Sequence, residues 1–356
     1  MSATYRAVGW NRQKRVYDGV LAALLALYLA LFVGAGALLD AGSTIETLLI
    51  RGIGTAALLL LTIILCIGPL CRIDRRFLPL LYNRRHLGVT MFVLALAHGA
   101  IGVVQFHALG DASPLVSVLT ANPRLASVAQ FPFELLGVGA LLILFLMAAT
   151  SHDFWLANLT PPVWKTLHML VYFAWAAVVL HVSLGVLQAE RSPVLVAALA
   201  LAVAPVLVLH AVAALRERDV DREPDEARTA DDGFVEVCRV EDIPEKRARI
   251  VTLSGERVAV FRYDGKLSAV SNVCRHQNGP LGEGKVIDGC ITCPWHGYQY
   301  DPASGAAPAP FTEKVATFDV RVRGGRVLVH PRPHRPGTYV EPAREAARCR
   351  EAAHGA

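Results

Sequence analysis

Residues 274–305 read CRHQNGPLGEGKVIDGCITCPWHGYQYDPASG. Within them Cys274-Arg-His276 is followed, after sixteen residues, by Cys293-Pro-Trp-His296, with glycine and proline packed around both halves. Two thiolates suit one iron held ferric and two neutral imidazoles suit the other, so Cys274, His276, Cys293 and His296 fit a [2Fe–2S] centre with one redox-active iron at raised potential. Two cysteines and two histidines also satisfy tetrahedral zinc. Zinc sites of that composition usually take Cys with Cys and His with His in each short segment, whereas each segment here supplies one of each.

Around this motif, from Phe234 to about His330, short alternating runs such as Val258–Tyr263 and Leu267–Val270 are joined through Asp264-Gly265. That is a hairpin signal in a small all-β domain, 234–330. The preceding stretch 216–233 (RERDVDREPDEARTADDG) is charged, contains Pro and Gly, lacks apolar periodicity and reads as a linker. The last stretch, 331–356, opens Pro331-Arg332-Pro333 and is expected to be a mobile tail. Cys290 is expected to be a small buried side chain, and Cys238 and Cys349 have no partner visible in the sequence.

Upstream the chain changes character. Of its 356 residues 54% are hydrophobic and the mean hydropathy is +0.41, with the apolar residues concentrated before about position 215. Stretches long enough to cross about 30 Å of hydrocarbon occur at 20–39, 52–71, 87–106, 131–150, 166–187 and 194–215. The expected fold is therefore an α-helical membrane bundle of six transmembrane helices over 20–215, followed by the β domain. Arg6, Arg12, Lys14 and Arg15 precede the first apolar run as in a signal peptide, but the run is too long for one, so it reads as a retained first span preceded by an N-terminal segment, 1–19, expected in the cytoplasm.

Arg72, Arg75, Arg76, Arg84 and Arg85 fall between the second and third spans, and Lys165 precedes the fifth. The opposite connections carry Asp40, Glu46, Asp111 and Glu190 with fewer basic residues. The positive-inside rule then places both termini and the β domain in the cytoplasm of a multi-pass cell-membrane protein. A net charge of +5, clustered at the ends of apolar segments, follows membrane topology and gives no nucleic-acid footprint. Seven cysteines without a dense even framework fit a reducing compartment and metal ligation. No internal repeat changes the expected fold class.

Ionisable residues inside the spans are few, and histidines dominate them: His86, His98, His168, His181 and His210. An ionisable group at that depth is a functional candidate, and imidazole is the usual axial ligand of haem b. The third and fifth spans run in the same direction. His98 and His181 lie twelve and thirteen residues beyond His86 and His168, about 18–20 Å of helical rise. Two level pairs result, His98 with His181 and His86 with His168, giving at least one haem b and an expected two. An ideal helix does not return to one face after twelve or thirteen residues, so the second pair needs helix tilt or an irregular turn. Arg51, Arg72, Arg84 and Arg85 stand where they would pair with haem propionates or simply set topology. His107, His152 and His210 read as surface or structural residues.

Two resemblances follow from these segments. CRHQNGPLGEG and CPWHGYQYDPASG resemble Rieske ferredoxins and the Rieske domain of ring-hydroxylating oxygenases, over the whole soluble domain. Rieske proteins of quinol-oxidising complexes carry a disulfide and a serine bonded to a bridging sulfur where Gly279, Trp295 and Tyr298 stand here. Fewer bonds to sulfur imply a potential nearer roughly −150 mV than +300 mV. NRRHLGVTMFVLALAHG and WKTLHMLVYFAWAAVVLHVSLGV, within approximately 50–215, resemble the ferric reductase-like transmembrane family, especially the haem b membrane subunit serving periplasmic methionine sulfoxide reductase. In that family the histidines matching His98, His168 and His181 bind haem.

Those reductases continue into a flavin and nicotinamide domain, and no dinucleotide fingerprint is present here. The resemblances together imply an oxidoreductase component rather than a complete enzyme. Electrons would pass between the cluster and the haems, with a cytoplasmic reductase or ferredoxin as donor and an outer-face redox partner or a quinone as acceptor. A membrane-anchored ferredoxin serving a separate oxygenase or reductase is the alternative, and a transporter whose histidines handle protons would need no haem.

Overall fold

The computed structural model describes residues 12–345, apart from residues 40–41, 123, 126, 128–130, 153, 156–158, 160, 191, 223–229, 231, 277 and 296. The chain divides into a helical unit ending at Ala213 and a second unit beginning at Ala214.

The helical unit comprises α1 (Arg12–Leu39), α2 (Ile45–Ile73), α3 (Arg84–His107), α4 (Pro114–Thr120), α5 (Phe133–Ala149), α6 (Pro161–Met169), α7 (Val171–Leu184), α8 (Val186–Glu190) and the greater part of α9 (Pro193–Asp221). Among the described residues five stretches are long and apolar enough to cross a membrane: Lys14–Leu39, Ile45–Ile73, Arg84–His107, Val163–Gln188 and Pro193–Arg218. The remaining expected crossing is the shorter α5, whose 17 residues rise about 26 Å and reach the lower end of the spanning range. The stretch Val163–Gln188 is covered by three successive helices, broken at Leu170 and Gly185.

The sequence accounts for where α2 begins and why it lies inside. The Thr44 side chain caps it by accepting from Thr47 N at 3.3 Å, Glu46 stands in its first turn and Arg72 in its last, each matching the helix dipole. Gly52, Ala56 and Ala57 let neighbouring helices approach, and Leu60, Leu61, Ile64 and Leu65 are buried beside them. The outer helices turn large side chains away from the bundle, with Leu31 64%, Phe173 70% and Leu201 74% exposed. Such a surface suits hydrocarbon and is disfavoured in water.

Three boundaries differ from the sequence reading. Residues 12–19 belong to α1, and α9 continues into the expected linker as far as Asp221. Glu217 and Asp221 would repel at i,i+4, but the Arg257 guanidinium lies 2.6 and 2.7 Å from them, so the helix persists. The third difference is the tail. Residues 331–345 pack onto the β domain, with His334 N donating to Thr317 O at 2.9 Å and Val340 N to Ala303 O at 2.8 Å. Ala343–Arg344 adds a strand, and Glu345 takes both Arg262 Nε and Nη2. Backbone pairing and this ion pair hold a segment whose composition alone suggests mobility.

The second unit is antiparallel throughout. One sheet has the order β1 (Val235–Arg239), β10 (Arg326–Val329), β9 (Val320–Arg323). A second has the order β11 (Ala343–Arg344), β4 (Lys266–Ser271), β3 (Glu256–Tyr263), β2 (Arg247–Leu253), with β8 (Thr317–Phe318) also on β4. A third consists of β5 (Lys285–Ile287), β6 (Cys290–Thr292) and β7 (Gln299–Tyr300). The β3–β4 turn has Asp264 at φ 48° and Gly265 at φ 70°, the backbone a two-residue hairpin requires.

Strand alternation divides the core. Val258 and Val260 face one cluster with Val237, Ile243, Leu267 and Val327. Ala259 and Phe261 face the other, which contains Cys274, Leu281, Ile291, Cys293 and Tyr300. The cysteine loops are thus built on the second core, and truncating the fully buried Phe261 to Ala would cost about 3–5 kcal/mol.

Candidate functional site

Cys274 follows β4, and Cys293 lies between β6 and β7. Their loops have the same backbone pattern. Cys274 N donates to Gly279 O at 2.9 Å and its carbonyl accepts from Asn278 N at 2.7 Å; Cys293 N donates to Tyr298 O at 2.7 Å and its carbonyl accepts from Gly297 N at 2.9 Å. The residue four beyond each cysteine is left-handed, Asn278 at φ 57° and Gly297 at φ 69°. Both cysteines are almost fully buried, at 1% and 2% exposure. The loops meet at Gly279, where an added Cβ would lie 2.8 Å from Cys293 Sγ and 3.2 Å from the Trp295 ring.

His276 stacks on Tyr298 with centroids 4.8 Å apart and planes within 9°. His296, the fourth expected ligand, lies outside the described residues. Two buried sulfurs, an imidazole fixed by an aromatic ring and a cradle without side-chain bulk fit a [2Fe–2S] cluster.

The tyrosines around the loops are not equivalent. Tyr298 gives its hydroxyl proton to the Glu313 carboxylate. The Tyr300 hydroxyl accepts from Arg275 N at 3.0 Å and lies 3.4 Å from Cys274 Sγ. A thiolate at Cys274 can only accept, so the hydroxyl proton is the one available to that contact. Burial, followed by the negative charge at Cys274, raises the Tyr300 pKa above the ordinary phenol range and keeps this donor protonated. Tyr300 was missed in the sequence reading, although it stands seven residues after Cys293. Its presence offsets part of the expected shortage of hydrogen bonds to sulfur. Cys290 lies in β6 and is half-buried rather than buried; the Cys238 thiol is pushed up to about 11, mainly by burial, consistent with an inert core side chain.

In the helical unit, His98 on α3 and His181 on α7 meet with ring centroids 6.2 Å apart and planes at 90°. His98 Nδ1 donates to Ile50 O on α2 at 2.9 Å, and His181 Nδ1 donates to Phe133 O on α5 at 2.8 Å. A carbonyl can only accept, so both rings carry hydrogen on Nδ1 and leave Nε2 with its lone pair. Two imidazole–metal bonds of about 2 Å, together with the inner radii of two rings, span nearly the observed 6.2 Å. Donor type, tautomer and separation fit an iron held between the two rings. One offset of 83 residues relates Ile50 to Phe133, Gly54 to Gly137 and His98 to His181. This register within the chain went unnoticed in the sequence reading, where only comparison of the chain with itself would have revealed it.

His86 and His168 are placed differently. His86 Nδ1 faces both oxygens of Asp18 on α1, at 3.0 and 3.1 Å. His168 Nδ1 donates within its own helix to Trp164 O at 3.0 Å, and its ring stacks on Trp164 at 3.8 Å. Ser151 Oγ is 3.4 Å from His168 Nε2 but gives its proton to Met147 O at 2.7 Å, so Nε2 keeps its lone pair. No ring contact joins His86 to His168 among the described residues.

Arg51 pairs with Glu190. The charges of Arg84 and Arg85 lie close enough to act on the His168 imidazole. His210 accepts at Nε2 from the Tyr172 hydroxyl at 3.0 Å, and His107 bonds Ser117 at 2.9 Å.

The two sets of side chains define a class: an integral-membrane helical protein carrying an iron–sulfur electron-transfer domain. Residues 233–319 match the family described as the Rieske [2Fe-2S] domain, and residues 52–179 match the ferric reductase like transmembrane component, so the chain belongs to the Rieske family through its second unit and joins it to a ferric reductase-like membrane domain. The anthranilate 1,2-dioxygenase ferredoxin subunit of Burkholderia cepacia is 38% identical over 92 residues, 25% of this chain and 81% of that protein. The 3-phenylpropionate/cinnamic acid dioxygenase ferredoxin subunit of Photorhabdus laumondii is 34% identical over 95 residues, 26% of this chain and 90% of that protein. The naphthalene 1,2-dioxygenase ferredoxin component of Pseudomonas aeruginosa is 29% identical over 97 residues, 27% of this chain and 93% of that protein. A Rieske ferredoxin domain with a ferric reductase-like transmembrane domain makes this a membrane electron-transfer protein that works with a redox partner.

Proposed function

We propose that the chain conducts electrons between a [2Fe–2S] cluster held by Cys274, His276, Cys293 and His296 and b haem held by His98 and His181, with His86 and His168 holding a second haem. The observation that carries this reading is the facing of His98 and His181 at 6.2 Å, with both Nδ1 protons committed to main-chain carbonyls. Cluster and haem, when bound, supply one-electron chemistry; the residues around them supply position, tautomer and a water-poor setting. Arg84 and Arg85 are the basic residues best placed for propionates beside His168, and Arg51 would have to leave Glu190 to take that role. The charge bias puts the Rieske unit and both termini in the cytoplasm, with a reductase or ferredoxin as donor and an outer-face partner or a quinone as acceptor. Flow in either direction is compatible with this arrangement.

A second reading takes its support from the relatives, which are named as ferredoxin subunits of dioxygenases. In it the helices anchor a ferredoxin that serves a separate oxygenase, and no haem is needed. The test is to purify the full chain in detergent from cells with ample haem and to record optical and low-temperature EPR spectra with quantified iron and haem. A Rieske signal with low-spin haem that is lost in His98→Ala and His181→Ala supports the conduit. A Rieske signal without haem leaves the anchored ferredoxin.

A further inference from the structure

In each half of the 83-residue register the Nδ1–Cε1 edge of the histidine lies against a glycine of the neighbouring helix. A Cβ built on Gly54 would sit 2.8 Å from His98 Nδ1 and 2.9 Å from its Cε1, and one built on Gly137 would sit 3.0 Å from both His181 Nδ1 and Cε1. The carbonyl that accepts each Nδ1 proton belongs to the residue four before that glycine, Ile50 for Gly54 and Phe133 for Gly137. Both features come from one surface, a helix face stripped of its side chain at one position and offering an oxygen one turn earlier. Carbonyl oxygens inside an α-helix already accept from the residue four ahead, so a further donor must approach from the side. A Cβ at that same level is what would block it.

We propose that Gly54 and Gly137 are positioning residues for the two histidines. The missing Cβ lets the Nδ1–Cε1 edge of each imidazole come up against the neighbouring helix, and the carbonyl then fixes its rotation and tautomer so that Nε2 points toward the opposite ring. The proposal rests on the reading of His98 and His181 as ligands of one haem. It adds that ligand geometry is determined by two residues with no metal-binding group.

Both helices carry internal controls. Gly68 on α2 and Gly139 on α5 have nothing within 4 Å of an added Cβ. Alanine is a better helix former than glycine, by about 1 kcal/mol. Gly68→Ala and Gly139→Ala are therefore expected to keep the helices and the spectrum intact. Gly54→Ala should force His98 off Ile50 O and Gly137→Ala should do the same to His181. The effect should be larger at Gly54, where the clash is tighter.

The experiment compares haem per chain and the low-spin fraction, by optical and EPR spectroscopy, in the purified full-length protein and these four variants. The low-spin signal is expected to fall at least twofold in Gly54→Ala and measurably in Gly137→Ala, with a high-spin component appearing, and to be unchanged in the two controls. Retention of the wild-type low-spin spectrum in both Gly54→Ala and Gly137→Ala would overturn the proposal, as would equal losses in the controls. A wild-type protein without haem, or one whose haem survives His98→Ala, would instead overturn the ligand assignment beneath it.

Poor folding of Gly54→Ala is separated by a second background. If Gly54 acts through the His98 ring, Gly54→Ala adds no loss of thermal stability to His98→Ala, where the ring is absent. A loss of equal size in both backgrounds assigns the glycine to general helix packing and overturns the proposal.

Discussion

His98 and His181 each give their Nδ1 proton to a carbonyl on another helix, whereas His86 faces a carboxylate and His168 donates within its own helix. The first pair has matched environments because both members belong to the same register: position 98 maps to 181, and the supporting glycines and carbonyls map with them. The second pair does not. In that register His86 corresponds to Met169 and His168 to Arg85, one residue out of step. A one-residue displacement on a helix is about 100° of rotation. A break at Leu170 falls between His168 and His181, and His86 and His168 receive different supports. A pair formed by register is held by main chain, and a pair formed beside it depends on whichever side chains are near.

The largest effect expected from this difference is in haem stoichiometry. His98→Ala and His181→Ala should each remove one low-spin haem per chain, measured as haemochrome against protein. His86→Ala and His168→Ala should remove another if the second pair is also occupied, leaving the first intact. A wild-type content near one haem, unaffected by His86→Ala, would confine ligation to the matched pair. An equal response of all four variants would mean that the contrast in support does not separate two sites.

What could be read from the sequence follows the same division between local and distant causes. The cluster loops were legible because spacing, turn residues and donor types all fall within 274–305. The Asp264-Gly265 hairpin and the apolar spans were legible for the same reason. Helix partners were not: the carbonyls that hold His98 and His181 lie 48 residues earlier in both cases. Gly54 and Gly137 do not stand out among the glycines of apolar helices until a ring is placed on them. The tail from Pro331 to Glu345 looked mobile because its support comes from β4 and from Arg262, far upstream. The extension of α9 depends likewise on Arg257.

A smaller effect should separate the pairs electrochemically. A carboxylate behind an imidazole stabilises the more positive, oxidised state of a bound metal, and a carbonyl does so less. Asp18→Asn should therefore raise the potential of the haem assigned to His86 and His168, while the haem of His98 and His181 keeps its own. The difference between a charge-assisted and a neutral hydrogen bond is about 1.4 kcal/mol, which for one electron is about 59 mV. Redox titration of the optical spectrum reads both midpoints in one sample. Unchanged midpoints would limit Asp18 to holding α1 against His86.

The smallest shift tests the same rule in the Rieske unit, where two tyrosines differ in what their hydroxyls reach. The Tyr300 hydroxyl lies 3.4 Å from Cys274 Sγ, and that of Tyr298 is spent on Glu313. A hydrogen bond to a sulfur ligand strengthens as the cluster gains an electron, so it raises the potential, and its removal lowers it. At about 1 kcal/mol for one bond, Tyr300→Phe should lower the cluster potential by roughly 40 mV. Tyr298→Phe keeps the ring that stacks on His276 and should leave the potential within roughly 10 mV of wild type, since no bond to sulfur is removed. EPR-monitored titration of the full chain would read both. A larger shift in Tyr298→Phe than in Tyr300→Phe would show that the Tyr298 hydroxyl, through its bond to Glu313, controls the cluster more than the hydroxyl beside Cys274 does.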